Sequence, residues 1–282
     1  PFLFPEFAAT AWIGLVPFLI ALEKKSQQQS LKLGWLLGVV FLSISSKWLL
    51  QPIIKFSGYS LGVSSLIFLT GISILALYFV FFAGILKFLE QRYNLSLLIL
   101  VPITWTGIEF LRSLFSFQFL FAFLGYSQSF IPELIQLAKF GGVYLITFII
   151  VMVNTLIYLA IKVKSRKKKI IYLTAVVLIV TSVFSYGYQE LQQKLVTEKN
   201  FKVSLIQPNV SQAKKLDSDY YRKLVSKLVK LSSSEIEKNN PDLLIWPETA
   251  ILRTYALDRD FPYLKKYQTP LYVGGFIRRG NG

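Results

Sequence analysis

The sequence predicts a multi-span α-helical membrane domain over residues 1–188, followed by an incomplete α/β domain over 189–282, and three observations carry that reading. Of the 282 residues 54% are apolar and 16% charged, against about 45–50% and about 25% in an ordinary soluble domain. Six apolar stretches, 7–22, 33–50, 61–86, 95–111, 142–161 and 170–186, meet or approach the roughly 17–25 residues that a spanning helix needs. The last 94 residues, by contrast, hold 16 of the 31 basic and 10 of the 15 acidic residues, the balance of a water-facing domain. The formal charge of +16 sits on a chain of mean hydropathy +0.51, a pairing that speaks for membrane topology and against nucleic acid as a partner.

The loops between the six stretches alternate in charge. Loops 23–32, 87–94 and 162–169 hold eleven cations: Lys24, Lys25, Lys32, Lys87, Arg92, Lys162, Lys164, Arg166, Lys167, Lys168 and Lys169. The intervening loops hold Lys55 and Lys139. Cations in short loops are retained on the cytoplasmic side. If the stretches alternate, the basic loops are cytoplasmic, and residue 1 and everything after 186 lie on the opposite face. Trp12, Trp48, Tyr59 and Tyr186 fall near span ends, where aromatic rings anchor at the interface. The chain opens on Pro1 with neither an initiator Met nor a signal peptide, which predicts that further residues precede it.

In the second domain 201–207 reads as a strand, and 219–238 as a helix with Tyr221, Leu224, Val225, Leu228 and Leu231 at helical spacing. The runs 242–246 and 271–276 read as two further strands. Strand, helix, strand implies a parallel pair joined by a right-handed crossover. Parallel strands are ordinarily buried on both faces, which suits the unbroken apolar run before Pro247. Gly280-Asn281-Gly282, a turn sequence after about three strands, predicts that more sheet follows.

With no His and no Cys, these residues exclude a Ser-His-Asp relay, a His-based metal site, a thiol nucleophile and a disulfide; no cofactor and no metal are expected. Chemistry rests on carboxylates, lysines and hydroxyls. The most informative segment is NPDLLIWPETAI, 240–251. Its Glu248 stands directly beyond the carboxyl end of a strand, the sheet edge where ligands and catalytic groups collect. Pro247 fixes the backbone before it, and apolar neighbours Trp246 and Ile251 would raise its pKa toward that of a general base. A purely structural role, capping the element after the strand, fits the same residues.

LIQPNVSQAKKLD followed by LLIWPETAI resembles the start of the nitrilase-type domain of apolipoprotein N-acyltransferases. WTGIEFLRS (105–113) and LGYSQ (124–128), with the six spans and basic loops, are similar to the membrane half of the same family. The resemblance implies that 189–282 is the first part of a nitrilase-like (CN hydrolase) α-β-β-α sandwich. It implies a bacterial inner-membrane enzyme with a periplasmic catalytic domain, which moves a fatty acyl chain from a phospholipid donor to the α-amino group of a diacylglyceryl-modified apolipoprotein. Family members use a Glu-Lys-Cys triad. Glu248 matches its Glu, as general base for the thiol and then for the amine; the Lys would stabilise the oxyanion. The partner Lys and Cys have no match among these residues, and Lys265 and Lys266 fall too early, reading as exposed charges. Many relatives carry Trp in a KWD-like stretch where this chain has Lys215-Leu216-Asp217. The family has eight spans against the six read here, which predicts one before residue 1 and one after the sheet.

Glu109 and Arg112, three residues apart on one helical face, allow a local ion pair; alternatively Arg112 meets a phospholipid headgroup. Tyr126, Gln128 and Trp246 are further possible substrate or lipid contacts. The connector 113–141, with Phe115, Phe117, Phe119, Phe121 and Phe123 alternating, reads either as an interfacial arm or as a plain hydrophobic segment. Two rivals share the pattern. A membrane-anchored nitrilase-type amidase would use Glu248 but has little need of six spans. A transporter would place paired charges deep in several spans, whereas Lys47, Glu109 and Arg112 all fall near span ends.

Overall fold

The computed structural model describes residues 5–93, 95–114, 122–193, 201–210, 218–247 and 269–272. The chain divides into two compact units, Pro1–Lys194 and Leu195–Gly282, and each is taken by itself.

The first unit begins with a 3-10 helix, Pro5–Trp12, and the six-residue α1, Val16–Ala21. The apolar stretch 7–22 is therefore two pieces. Pro17 at the start of α1 lacks an amide donor and favours a first helical turn, so the helix restarts there. Helix α2, Gln27–Ser45, starts earlier than its apolar stretch because Ser26 forms a capping box: its Oγ accepts from the Gln29 amide while Gln29 Oε1 accepts from the Ser26 amide. The chain then bends by 62° into the segment Lys47–Ser57, which contains α3, Leu50–Ser57.

Helices α4, Leu61–Leu75, and α5, Leu77–Tyr93, follow one another as a 33-residue rod, Leu61–Tyr93. At about 1.5 Å per residue the rod exceeds the roughly 30 Å hydrocarbon core, which carries Lys87 and Glu90 past the apolar zone while still helical. Gly34 lets α2 lie against α5, since a Cβ there would meet the Phe79 carbonyl oxygen at 2.5 Å. Helix α6, Leu97–Leu114, a 3-10 turn, Leu124–Gln128, and the short α7, Pro132–Ile135, lead to α8, Ala138–Lys162. Gly141 and Gly142 interrupt α8 near its start, Gly142 at φ 60. Helix α9, Arg166–Gln192, is capped by Ser165, whose Oγ accepts from the Lys168 amide; the basic run Arg166 to Lys169 is thus its first turn. Cations there oppose the helix dipole, at a cost of tenths of a kcal/mol.

Among the described residues four helices are long and apolar enough to cross a bilayer, or five if the bent pair counts as one span. The core of this unit centres on Trp105, which packs edge-on against Phe79 at 5.5 Å and Phe82 at 4.9 Å, beside Val101, Ile150 and Val151.

In the second unit β1, Val203–Leu205, β2, Leu243–Ile245, and β3, Leu271–Tyr272, form a parallel sheet in the order β1-β2-β3. Helix α10, Ser218–Asn239, connects β1 to β2 and buries Leu224, Leu228, Ser232 and Ile236, successive steps of four along one face. Leu231 falls off that line and is 38% exposed. Asn240, at φ 43, ends the helix, a left-handed position that Asn tolerates. The expectation that the strands are buried on both faces is not met. The face bearing Leu244 joins the α10 core, whereas on the other face Leu205 is 73% and Tyr272 68% exposed.

Candidate functional site

At the carboxyl edge of this sheet the two sequence motifs come together. The Ile206 amide donates to the Ile245 carbonyl at 2.9 Å, and the Trp246 amide to the Tyr272 carbonyl at 2.9 Å, so LIQPN and LLIWP leave the sheet side by side. Between them lies a cavity of about 350 Å³, lined by Gln207, Pro208, Asn209, Val210, Trp246 and Pro247 among others. Asn209, in that lining, adopts φ 49, a left-handed conformation that Asn tolerates. Trp246 is 2% exposed and donates from Nε1 to Ser232 Oγ at 2.8 Å, which places its ring in the α10 core. That bond fixes the strand end, and Trp246 also forms part of the cavity lining. Glu248 follows Pro247 directly and lies outside the described residues, as do Ile251, Lys215, Leu216, Asp217, Lys265 and Lys266.

Toward the amino end of the sheet, Glu235 accepts from Ser204 Oγ and from Asn239 Nδ2, both at 2.8 Å. The bond from Asn239, and then that from Ser204, hold its carboxyl below the ordinary carboxylate range. Glu235 thereby ties β1 to α10 as an ionised acceptor.

In the first unit WTGIEFLRS and LGYSQ also meet. Glu109, 2% exposed, accepts at Oε1 from Trp105 Nε1 (3.0 Å) and the Leu124 amide (2.8 Å), and at Oε2 from Thr147 Oγ1 (2.7 Å). Thr147 Oγ1 in turn accepts from the Gly125 amide at 2.9 Å. One carboxylate therefore joins α6, the 3-10 turn and α8. Gly125 is required for that closure, since a Cβ would meet the Val143 carbonyl oxygen at 2.6 Å. Gln128, fully buried, accepts from Trp12 Nε1 at 3.1 Å and donates to the Ala8 carbonyl at 3.0 Å, pinning the same turn to the first 3-10 helix.

The local Glu109–Arg112 ion pair expected from their spacing is not formed. Among the described residues the ion pairs are Lys87–Glu90, Lys139–Glu190 and Lys162–Glu23. Glu109 is occupied by the three donors above, and the Arg112 guanidinium, 4% exposed, stacks over Phe123 at 4.8 Å and Tyr78 at 5.6 Å. Tyr126 is the exposed member of the group, 44% accessible, with its ring stacked on Phe123 at 5.7 Å. Phe115, Phe117, Phe119 and Phe121 lie outside the described residues.

Sequence reasoning missed Thr147 and Asn154. Asn154 accepts from the Leu15 amide and donates to the carbonyls of Ala11 and Ile150, each at 2.9 Å, and so holds the break between the first 3-10 helix and α1. A lone amide in an otherwise apolar run was the available signal. Thr147 carried none, because a threonine can satisfy its hydroxyl on its own helix.

The residues that hold this turn lie within a wider match. The model of the apolipoprotein N-acyltransferase N-terminal domain covers residues 1–156. The chain belongs to the apolipoprotein N-acyltransferase family. Curated proteins of that name to which it is similar include one from Geobacter metallireducens, 31% identical over 87% of this chain and 48% of the relative. Others are from Coxiella burnetii, 31% identical over 86% and 50%, and Pasteurella multocida, 27% identical over 95% and 49%. The chain spans about half the length of these relatives. The Pasteurella alignment covers 95% of this chain and so runs past residue 156 into the second unit.

Proposed function

We propose that these residues form the membrane platform and the first part of a nitrilase-like catalytic domain of an apolipoprotein N-acyltransferase. The observation that carries the reading is the convergence of LIQPN and LLIWP at one sheet edge, around a cavity that Pro247 borders one residue before Glu248. Six apolar stretches beside such a domain suit two substrates that both reside in a bilayer, a phospholipid donor and a diacylglyceryl-modified apolipoprotein acceptor. The distribution of cations supports basic loops in the cytoplasm and a catalytic domain on the opposite face, and kinship with apolipoprotein N-acyltransferases supports the bacterial inner membrane and the periplasm as the setting.

In this reading Glu248 removes the proton from a cysteine thiol that is not among these residues. The thiolate attacks the phospholipid ester carbonyl, a lysine stabilises the oxyanion, and the lysophospholipid leaves with the proton. Glu248 then takes the proton of the attacking α-amine as the thioester breaks, returning it to the thiolate. The test uses the complete protein with a radiolabelled phospholipid. Glu248→Gln is expected to give no acyl-enzyme while inserting normally; a thioester formed at the wild-type rate would remove Glu248 as the base. Reporter fusions after Lys169 are expected to score cytoplasmic and those after Tyr186 external, and the reverse would overturn the topology.

A further inference from the structure

Helices α5, α6 and α8 and the end of α1 enclose a second cavity, of about 330 Å³, at the ends that carry the basic loops. It sits at the start of α6, beside Leu97, and at the Lys162 end of α8, far along both helices from Glu109 and Gly142. Residues from all three basic loops reach it, Lys24 from the first, Lys87 and Glu90 from the second and Lys162 from the third.

The floor and the rim ask for different chemistry. The floor is leucine, with Leu22, Leu86 and Leu159 continuing the apolar surface of the spanning helices. The rim is charged. Lys162 pairs with Glu23 through Oε2, Lys87 pairs with Glu90 at 2.9 Å, and Lys24 stands exposed at a turn with φ 53. Three cations and two carboxylates leave a net +1. The other Glu23 oxygen, Oε1, is buried and closed to a ligand, and the Tyr158 hydroxyl, which lines the same cavity, acts on the same carboxyl. The Lys162 bond, and then that from Tyr158, hold this carboxyl below its ordinary pKa, so Glu23 is an anion on the rim.

A soluble anion gains nothing from a leucine floor, and an acyl chain gains nothing from three lysines and two carboxylates. A molecule with a phosphate, a cationic group and an apolar tail uses all three features. We propose that this cavity binds one bilayer phospholipid, its phosphate between Lys24 and Lys162, the ammonium of an amino-bearing headgroup at the partly exposed carboxylate of Glu90 and its upper acyl region on the leucines. The size falls within the range of small-molecule sites, about 300–1,000 Å³, and basic pockets between spanning helices are recurrent lipid headgroup sites. The site is separate from the sheet edge assigned to catalysis, and its occupancy is read by binding rather than acyl transfer, so either reading can fail without the other.

The full chain, delipidated in detergent, is titrated with dioleoylphosphatidylethanolamine and examined by native mass spectrometry. Lys24→Gln combined with Lys162→Gln is expected to hold one fewer lipid than the wild type, with occupancy of that lipid reduced at least about fivefold. Leu22→Trp, which fills the floor and leaves every charge in place, is expected to lose the same lipid. Lys24→Gln alone, a change at an exposed side chain, guards against a folding artefact and is expected to weaken the same adduct. Equal lipid stoichiometry in all variants overturns the proposal. Dioleoylglycerol retained as well as the phospholipid overturns the headgroup assignment, and displacement of the lipid by millimolar inorganic phosphate reduces the cavity to a phosphate site and overturns it as a lipid site.

Discussion

Helices α8 and α9 are adjacent in sequence and similar in length, 25 and 27 residues, yet 56% of the apolar window of α8 is buried within the protein and only 11% of that of α9. Both contain hydroxyl residues. In α8 Thr147 reaches across to Glu109 and Gly125, and Asn154 reaches to α1. In α9 Thr174, Thr181 and Ser182 are exposed, and Val183 and Gly187 are its buried residues. Apolar content identifies both as spans. Position within the bundle follows from polar groups that cannot be satisfied on their own helix, and an amide with two donors and an acceptor is the stronger such group.

The largest expected effect tests that difference directly. Asn154→Leu leaves the Leu15 amide and the Ala11 carbonyl buried without their partner, and is expected to cost about 2–4 kcal/mol. Thr181→Leu in α9 is expected to stay within about 0.5 kcal/mol of wild type. Reversible unfolding in mixed micelles measures both, and similar losses in the two helices would break the comparison. A smaller contrast lies within α8. Thr147→Val removes the donor to Glu109 and the acceptor of the Gly125 amide and should cost about 1–2 kcal/mol. Thr155→Val should be near neutral, because Thr155 bonds only the Val151 carbonyl of its own helix among the described contacts.

The smallest expected effect concerns the ion pair that ties α8 to the end of α1. Lys162 holds the Glu23 carboxyl below its ordinary value of 4.5. A depressed folded pKa stabilises fully above the unfolded value and is lost as pH falls through the folded value. Lowering the pH from 6 to 3 should therefore remove a contribution of less than about 1 kcal/mol from the wild type, the scale of exposed pairs. Glu23→Gln should show no such pH-dependent component, and a wild-type pH profile identical to that of the variant would remove the pair from the account of how α8 is held.

The elements themselves were largely legible. Four of the apolar stretches became long helices, and the differences at their ends trace to single residues: Ser26 and Ser165 as caps extended α2 and α9 beyond the apolar runs, and Pro17 restarted the first stretch as α1. The sheet edge was legible because Pro247 stops a strand wherever it sits. The contacts of Glu109 were not. Its spacing to Arg112 invited an ion pair, but the Leu124 amide, 15 residues away, and the Thr147 hydroxyl, 38 away, occupy its oxygens. The Arg112 guanidinium stacks over aromatic rings, which stabilise a weakly hydrated guanidinium inside a bundle.

Sequence alone determined where the chain is apolar, where its cations lie and which residue follows the strand-ending proline, because these depend on local composition and on backbone constraints that act over a few residues. Tertiary structure decided which span lies inside, which face of α10 is buried, that Trp246 belongs to the core, and that three basic loops share one cavity. Those outcomes depend on hydrogen-bond partners and packed surfaces supplied from more than ten residues away, and a linear pattern does not state which distant donor arrives first at a buried acceptor.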